Sequence, residues 1–178
     1  MGDFQSINWR SRGYLPHFDA PGFQQHIVFG LADAISGRDA NHTDDALTAF
    51  DAVLDRGLGD CVLSEPACAS AVQEALLHDD GEHYSLLAWC IMPNHVHAVI
   101  DQRGDLAAIV RRWKTWSARQ INARLKRAGR VWRREYFDRY ARNEGHLGAM
   151  IAYVENNPVN AGLVSTPKAW LWSSASLR

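Results

Sequence analysis

The sequence predicts an α+β fold: one mainly antiparallel sheet with helices packed against it. Three observations carry this reading. Apolar runs of strand length are separated by segments whose apolar residues recur at helical spacing. Two of those runs, 84–92 and 95–100, flank Pro93-Asn94 and therefore form neighbouring strands. The 178 residues, 47% hydrophobic with seven Trp, suffice for one well-filled domain and argue against disorder.

Each element has its own signal. Arg10-Ser11-Arg12-Gly13-Tyr14-Leu15-Pro16-His17 is polar and reads as an arm. Residues 24–31, with Ile27, Val28 and Phe29, read as the first strand. Residues 36–41 are a turn-rich insertion, after which Thr43 caps a helix through Ala46, Leu47, Phe50, Val53 and Leu54. Ser64 caps a second helix through Ala71, Val72, Ala75 and Leu76, broken at Asp79-Asp80-Gly81. The run 84–92 is a strand buried on both faces, and 95–100 is its partner. Asp105 caps a long helix over 106–128 that turns Ile109, Val110, Trp113, Trp116, Ile121 and Leu125 inward, with Gly129 as C-cap. Residues 131–141 are extended and hold one strand. Residues 144–154 form a shorter helix that stops near Asn157-Pro158, because proline disfavours helix in the residue before it. Trp170 and Trp172 in the tail read as docking residues. The organisation expected is an arm (1–20), a catalytic domain (21–165) and a tail (166–178).

Cys61, Cys68 and Cys90 are odd in number and form no CxxC pair, which predicts a reducing, cytoplasmic setting. The N-terminus has neither the basic nor the apolar region of a signal peptide. No apolar run reaches the ~20 residues of a membrane span, so no membrane partner is expected.

The net charge of −1 hides a polarity. Residues 1–102 carry four basic side chains against fifteen acidic; residues 103–142 carry thirteen basic against three acidic. That asymmetry points to a polyanion partner or to a solvated helix face. Trp113, Trp116, Trp132, Tyr136, Phe137 and Tyr140 lie among the cations and favour nucleic acid, since rings stack on unpaired bases while Arg and Lys hold phosphates.

His95-Val96-His97 is the most informative stretch. Side chains alternate along a strand, so both imidazoles point to one face with Val96 behind them. Such a pair suits one divalent metal on the open face of a sheet, although a structural role is equally open. Tyr153 and Asn157, four apart, share a helix face that could be aimed at the pair. Asn157 would add an oxygen ligand and Tyr153 a nucleophile; core packing is the alternative for the tyrosine. Tyr136 and Tyr140 are rival phenols in the basic strand, better suited to packing or stacking.

Met92-Pro93-Asn94-His95-Val96-His97 resembles the His-hydrophobic-His motif of the single-tyrosine, IS200-like transposases and relaxases. Tyr153-Val154-Glu155-Asn156-Asn157-Pro158-Val159 resembles their tyrosine helix. Trp132-Arg133-Arg134-Glu135-Tyr136-Phe137-Asp138-Arg139-Tyr140, Arg12-Gly13-Tyr14-Leu15-Pro16-His17 and Trp170-Leu171-Trp172-Ser173-Ser174-Ala175 narrow the resemblance to the REP-associated tyrosine transposases. It implies a ferredoxin-like sheet, Mg²⁺ or Mn²⁺ held by His95, His97 and Asn157, and Tyr153 as nucleophile. The implied activity is cleavage and rejoining of single-stranded DNA at palindromic hairpins through a 5′-phosphotyrosine. It also implies a nucleoid-associated monomer or homodimer.

Arg10, Arg12, Tyr14, Arg111, Arg112, Lys114, Arg119, Arg133, Arg134 and Arg139 are the DNA-contacting candidates. Three positions depart from the family pattern. Arg133 stands where Gln is expected, Asn160 where a cation is common, and Leu171 where Pro is common. The segment 36–60 has no counterpart. Two other readings stand beside this one: a regulatory protein that grips hairpins without cutting, and a metal hydrolase that uses water on a small phosphoester.

Overall fold

The computed structural model describes residues 9–11, 16–35 and 51–178. Six strands and three long helices organise them: β1 (Trp9–Ser11), β2 (Pro16–Phe18), β3 (Gln24–Gly30), α1 (Pro66–His78), β4 (Tyr84–Ile91), β5 (His95–Gln102), α2 (Leu106–Arg124), β6 (Phe137–Tyr140) and α3 (Glu144–Asn160). The main sheet has the order β4-β5-β3-β6, with every neighbouring pair antiparallel. The predicted α+β class is the one observed.

Strand alternation sorts the core into two layers. Ile27, Phe29, Trp89, Ile91, Val96, Ala98 and Ile100 meet Val72 and Leu76 of α1 and Leu106, Ile109, Val110 and Trp113 of α2. The opposite face carries Ala88, Cys90, Met92 and Val99 against Met150 and Val154 of α3. His95 and His97 share the face of Val99, so the sheet aims both imidazoles at α3. The face expected to be open is closed: both histidines are wholly buried.

Several boundaries differ from expectation. The segment read as an arm is partly built into the fold, because β1 and β2 form an antiparallel hairpin. His17 and Phe18 are buried, and Asp138 of β6 accepts from both the His17 ring and the Phe18 N–H. Helix α1 begins after Glu65 with Pro66 at its first position; Ser64 makes no cap. Proline fits there because its missing N–H is one a helix start leaves unpaired anyway. The Thr43 cap lies outside the described residues, but 51–54 are helical.

Helix α2 is capped as expected, Asp105 accepting from the Ala108 N–H at 2.7 Å. It ends at Leu125 rather than at Gly129. Lys126 takes the left-handed conformation (φ 51), and the Lys126 and Arg127 N–H groups bond back to Ala123 and Asn122, which closes the helix early. Helix α3 runs through Pro158 to Asn160, beyond the predicted stop. Pro158 stands in the last turn, so little ladder follows it. Gly162 (φ 71) and Leu163 then donate to the carbonyls of Val159 and Pro158, a closure the left-handed region makes easy for glycine. The tail docks on β4: the Ile91 N–H donates to the Trp172 carbonyl at 2.8 Å, and Trp170 Nε1 donates to the Ile91 carbonyl at 2.9 Å.

Candidate active site

The site is built where β5, β3, α3 and the helical turn 51–54 meet. Asn94, in the turn that starts β5, fixes the first imidazole. His95 Nδ1 lies 2.7 Å from Asn94 Oδ1, which can only accept, so His95 carries its proton on Nδ1 and leaves Nε2 as a lone pair. The Asn94 amide also donates to the carbonyls of Leu54 (2.9 Å) and Leu58 (3.2 Å), tying the 51–58 segment to the same turn. His97 Nδ1 lies 3.1 Å from His26 Nε2 of β3. His26 pairs with Val99 in the sheet, which puts it diagonal to His97 on the same face.

Burial keeps these rings neutral. It holds His97 down to about 3, and it lowers His95 and His26 well below the usual imidazole range, with His97 adding to both. Neutral imidazole is the form that ligates metal.

Helix α3 brings Tyr153 to the pair: its ring centre lies 6.2 Å from that of His97 and 6.0 Å from that of His26. Its hydroxyl donates to Asp51 Oδ2 at 2.6 Å. Burial, and then the charge of Asp51, push the phenol well above its ordinary value. Asn157, one turn on, is buried, and its Oδ1 has no hydrogen-bond partner.

Asp51 and Asp55 have no role in the sequence reading, in which 36–60 has no counterpart in the family pattern. One helical turn apart, they present their carboxylates to the two imidazoles. Asp51 Oδ1 lies 3.9 Å from His97 Nε2, and Asp55 Oδ1 lies 3.8 Å from His95 Nε2. Burial raises Asp51 to about 7; burial and the Asp51 charge raise Asp55 to about 6. Gly30 makes room for this turn. It faces His95 across the sheet, and a Cβ there would stand 3.2 Å from Leu54 Cδ2. The sequence signal was available in Asp51-x-x-x-Asp55, but only tertiary contact says which carboxylates meet which rings.

The donor set fits a divalent cation. His95 Nε2, His97 Nε2, Asp51 Oδ1 and Asn157 Oδ1 are all buried without hydrogen-bond partners. Native interiors rarely leave such atoms unpaired. Ligand atoms of Asp51, His95 and His97 lie within 4.8 Å of one another. The gaps between carboxylate and imidazole exceed a hydrogen bond and match the roughly 3–4 Å between ligands of one octahedral ion.

The basic segment is less uniform than its composition suggests. Arg111, Arg112, Arg119 and Arg134 are exposed. Arg112 is paired with Asp79 at 3.1 Å, and Arg134 stands 3.9 Å from Glu135. Lys114 does not reach out as a phosphate contact: its amine donates to the carbonyls of Arg133, Arg134 and Glu135 and lies over the Phe29 and Tyr136 rings. Arg133 donates to the Ile35 carbonyl at 3.0 Å, and Arg139 is half-buried. Arg10 is in β1, while Arg12 and Tyr14 lie outside the described residues.

The aromatics divide too. Trp113 and Trp132 are core, bonded to the Tyr84 hydroxyl and the Ser117 Oγ. Tyr136 stacks on His17, and Tyr140 packs on Phe18. Trp116, expected inward, is 39% exposed and lines a groove of about 530 Å³ with Arg111, Arg112 and Arg119.

The profile of the family described as "Transposase IS200 like" matches residues 68–157, half of the chain, and the match includes His95, His97, Tyr153 and Asn157. The chain belongs to the IS200-like transposase family. A Haemophilus influenzae protein, provisionally named as a REP-associated tyrosine transposase, is 30% identical over 107 residues. That alignment covers 52% of this chain and 61% of the relative. A solved REP-associated tyrosine transposase bound to a REP hairpin shares the fold, with a TM-score of 0.59 and 15% identity over 93% of this chain and 84% of that one. Among the described residues, no helix is long and apolar enough to cross a membrane.

Proposed function

We propose that this protein cleaves and rejoins single-stranded DNA beside REP-type hairpins, with Tyr153 as nucleophile and His95, His97 and Asn157 holding Mg²⁺ or Mn²⁺. The observation that carries the reading is the convergence of the Tyr153 phenol and two imidazole Nε2 atoms without hydrogen-bond partners in one buried cluster. A bound cation would supply charge to polarise the scissile phosphate. The Tyr153 oxygen bonds to phosphorus as the bond to the 3′-oxygen breaks. The phenolic proton ends, overall, on the released 3′-hydroxyl. The 5′-phosphotyrosine keeps the ester, so a second 3′-hydroxyl can reverse the step without ATP.

The residues around the site set its conditions. His26 and Asn94 hold the imidazole protons away from the ligating nitrogens. Because the imidazoles are buried, a phosphate reaches them only when the elements around them shift. Exposed Arg111, Arg119 and Trp116 form a surface suited to phosphates and an unpaired base. In this reading residues 1–20 act as a DNA arm rooted by the β1–β2 hairpin, 21–165 as the catalytic domain and 166–178 as a docked tail. The protein works in the cytoplasm at the nucleoid, as monomer or homodimer.

The test is incubation of labelled palindrome single strands with the protein and Mn²⁺, followed by a denaturing gel. A protein-linked fragment is expected with the native chain and none with Tyr153→Phe, which still shifts the hairpin on a native gel. Hairpin binding with no linked fragment from the native chain would favour the non-cleaving regulator.

A further inference from the structure

We infer that Asp51 is an anionic ligand of the same cation and couples it to the nucleophile, one oxygen facing the ion and the other holding the Tyr153 hydroxyl. This rests on the metal-dependent reading above and adds to it a residue that lies outside the family match at 68–157.

The two carboxylate oxygens have different surroundings. Oδ2 accepts the Tyr153 O–H at 2.6 Å. Oδ1 is buried without a partner and lies 3.9 Å from His97 Nε2, beyond hydrogen-bond reach. With His97 protonated on Nδ1 toward His26, both atoms are acceptors; a cation or a doubly donating water between them would satisfy both, and the metal-dependent reading assigns the cation. The residue is 1% exposed, and a carboxylate is not kept in such a place without compensation. Two neighbouring features bring it there. Gly30 leaves the space, and the Asn94 amide holds the end of the turn through Leu54 and Leu58.

The chemistry follows from the ligand set. Two imidazoles alone favour softer ions such as zinc or copper. A carboxylate beside them, with the Asn157 oxygen, moves preference toward Mg²⁺ and Mn²⁺. The shared carboxylate also fixes how far the phenol stands from the ion. The segment without a counterpart in the family pattern thus carries part of the site.

The test is Mn²⁺ binding to the full, metal-free chain at pH 8 without DNA, read from loss of the free-ion electron paramagnetic resonance signal. The native chain should bind one Mn²⁺. Asp51→Asn should weaken it at least tenfold, and His97→Ala at least as much. Glu74→Gln, which removes an exposed carboxylate on α1, should stay within about twofold. Thermal unfolding in EDTA checks that each variant is folded, and Asp51→Ser serves if Asp51→Asn is not. Native affinity in Asp51→Asn, with affinity lost in His97→Ala, would overturn the role of Asp51 and leave the histidine site standing. No Mn²⁺ on the native chain, or no loss in His97→Ala, would overturn both.

Discussion

His26 Nε2 stands 3.1 Å from His97 Nδ1, and the two rings are stacked 5.4 Å apart in a wholly buried environment. For His97 to ligate through Nε2, its proton must sit on Nδ1, and His26 is the acceptor that holds it there. His26→Leu should therefore weaken Mn²⁺ binding by about 10–100-fold with little change in hairpin affinity. Calorimetric titration with Mn²⁺ and a hairpin gel-shift check the two halves. Unchanged metal affinity would show that the contact only packs.

Asn94 serves the other imidazole and the covering segment at once. Asn94→Ala removes the acceptor for His95 Nδ1 and leaves the Leu54 carbonyl without its donor. Its cost should be about 1–3 kcal/mol of stability, from orphaned buried groups, together with a metal-affinity loss like that of His26→Leu. Urea unfolding with and without Mn²⁺ separates the effects, because a ligand that binds only the folded chain raises its stability by mass action.

Asp51 costs the metal-free fold. Burial lifts its carboxyl to about 7, against about 4 in the unfolded chain. The folded state then binds the proton more readily between those values, so stability falls as pH rises through that window. The cost is complete above about pH 7. Asp51→Asn should stabilise the metal-free chain at pH 8 by about 2–4 kcal/mol, and the gain should fade toward pH 4. Urea unfolding in EDTA at both pH values checks it; a less stable variant at pH 8 contradicts it.

The exposed basic face should show itself through salt. Arg111→Ala and Arg119→Ala should each lower the slope of log K against log salt for single strands by about 0.7, whatever the sequence. Trp116→Ala should lose about 1–3 kcal/mol of single-strand binding at fixed salt, the contribution of one stacked base. Fluorescence anisotropy of a labelled strand across a salt series measures both. Lys114→Ala should act instead through the 133–135 loop, as lost stability.

The periodic parts of this chain were readable in advance, and the reasons are physical. Apolar runs of strand length marked β4 and β5, and strand alternation placed His95 and His97 on one face; Tyr153 and Asn157 followed from helical spacing. What failed were features decided by contacts distant in sequence. Trp132 looks like a DNA-stacking residue among cations, yet tertiary packing buries it. Lys114 carries the charge of a phosphate contact and is spent on loop carbonyls. Helix ends moved because Lys126 accepted a left-handed backbone and Pro158 fell in a last turn. His26 belongs to no local motif and Asp51-x-x-x-Asp55 names no partner, so only the folded sheet and the 51–54 turn bring these residues to the histidines.

Mass spectrometry of the peptide that retains a nucleotide, after cleavage of a labelled palindrome strand with Mn²⁺, tests the proposed chemistry most directly. The nucleotide should be found as a 5′-phosphate ester on the peptide containing Tyr153. A nucleotide on the peptide of Tyr136 or Tyr140, or cleaved strands with no nucleotide retained on protein, would contradict it.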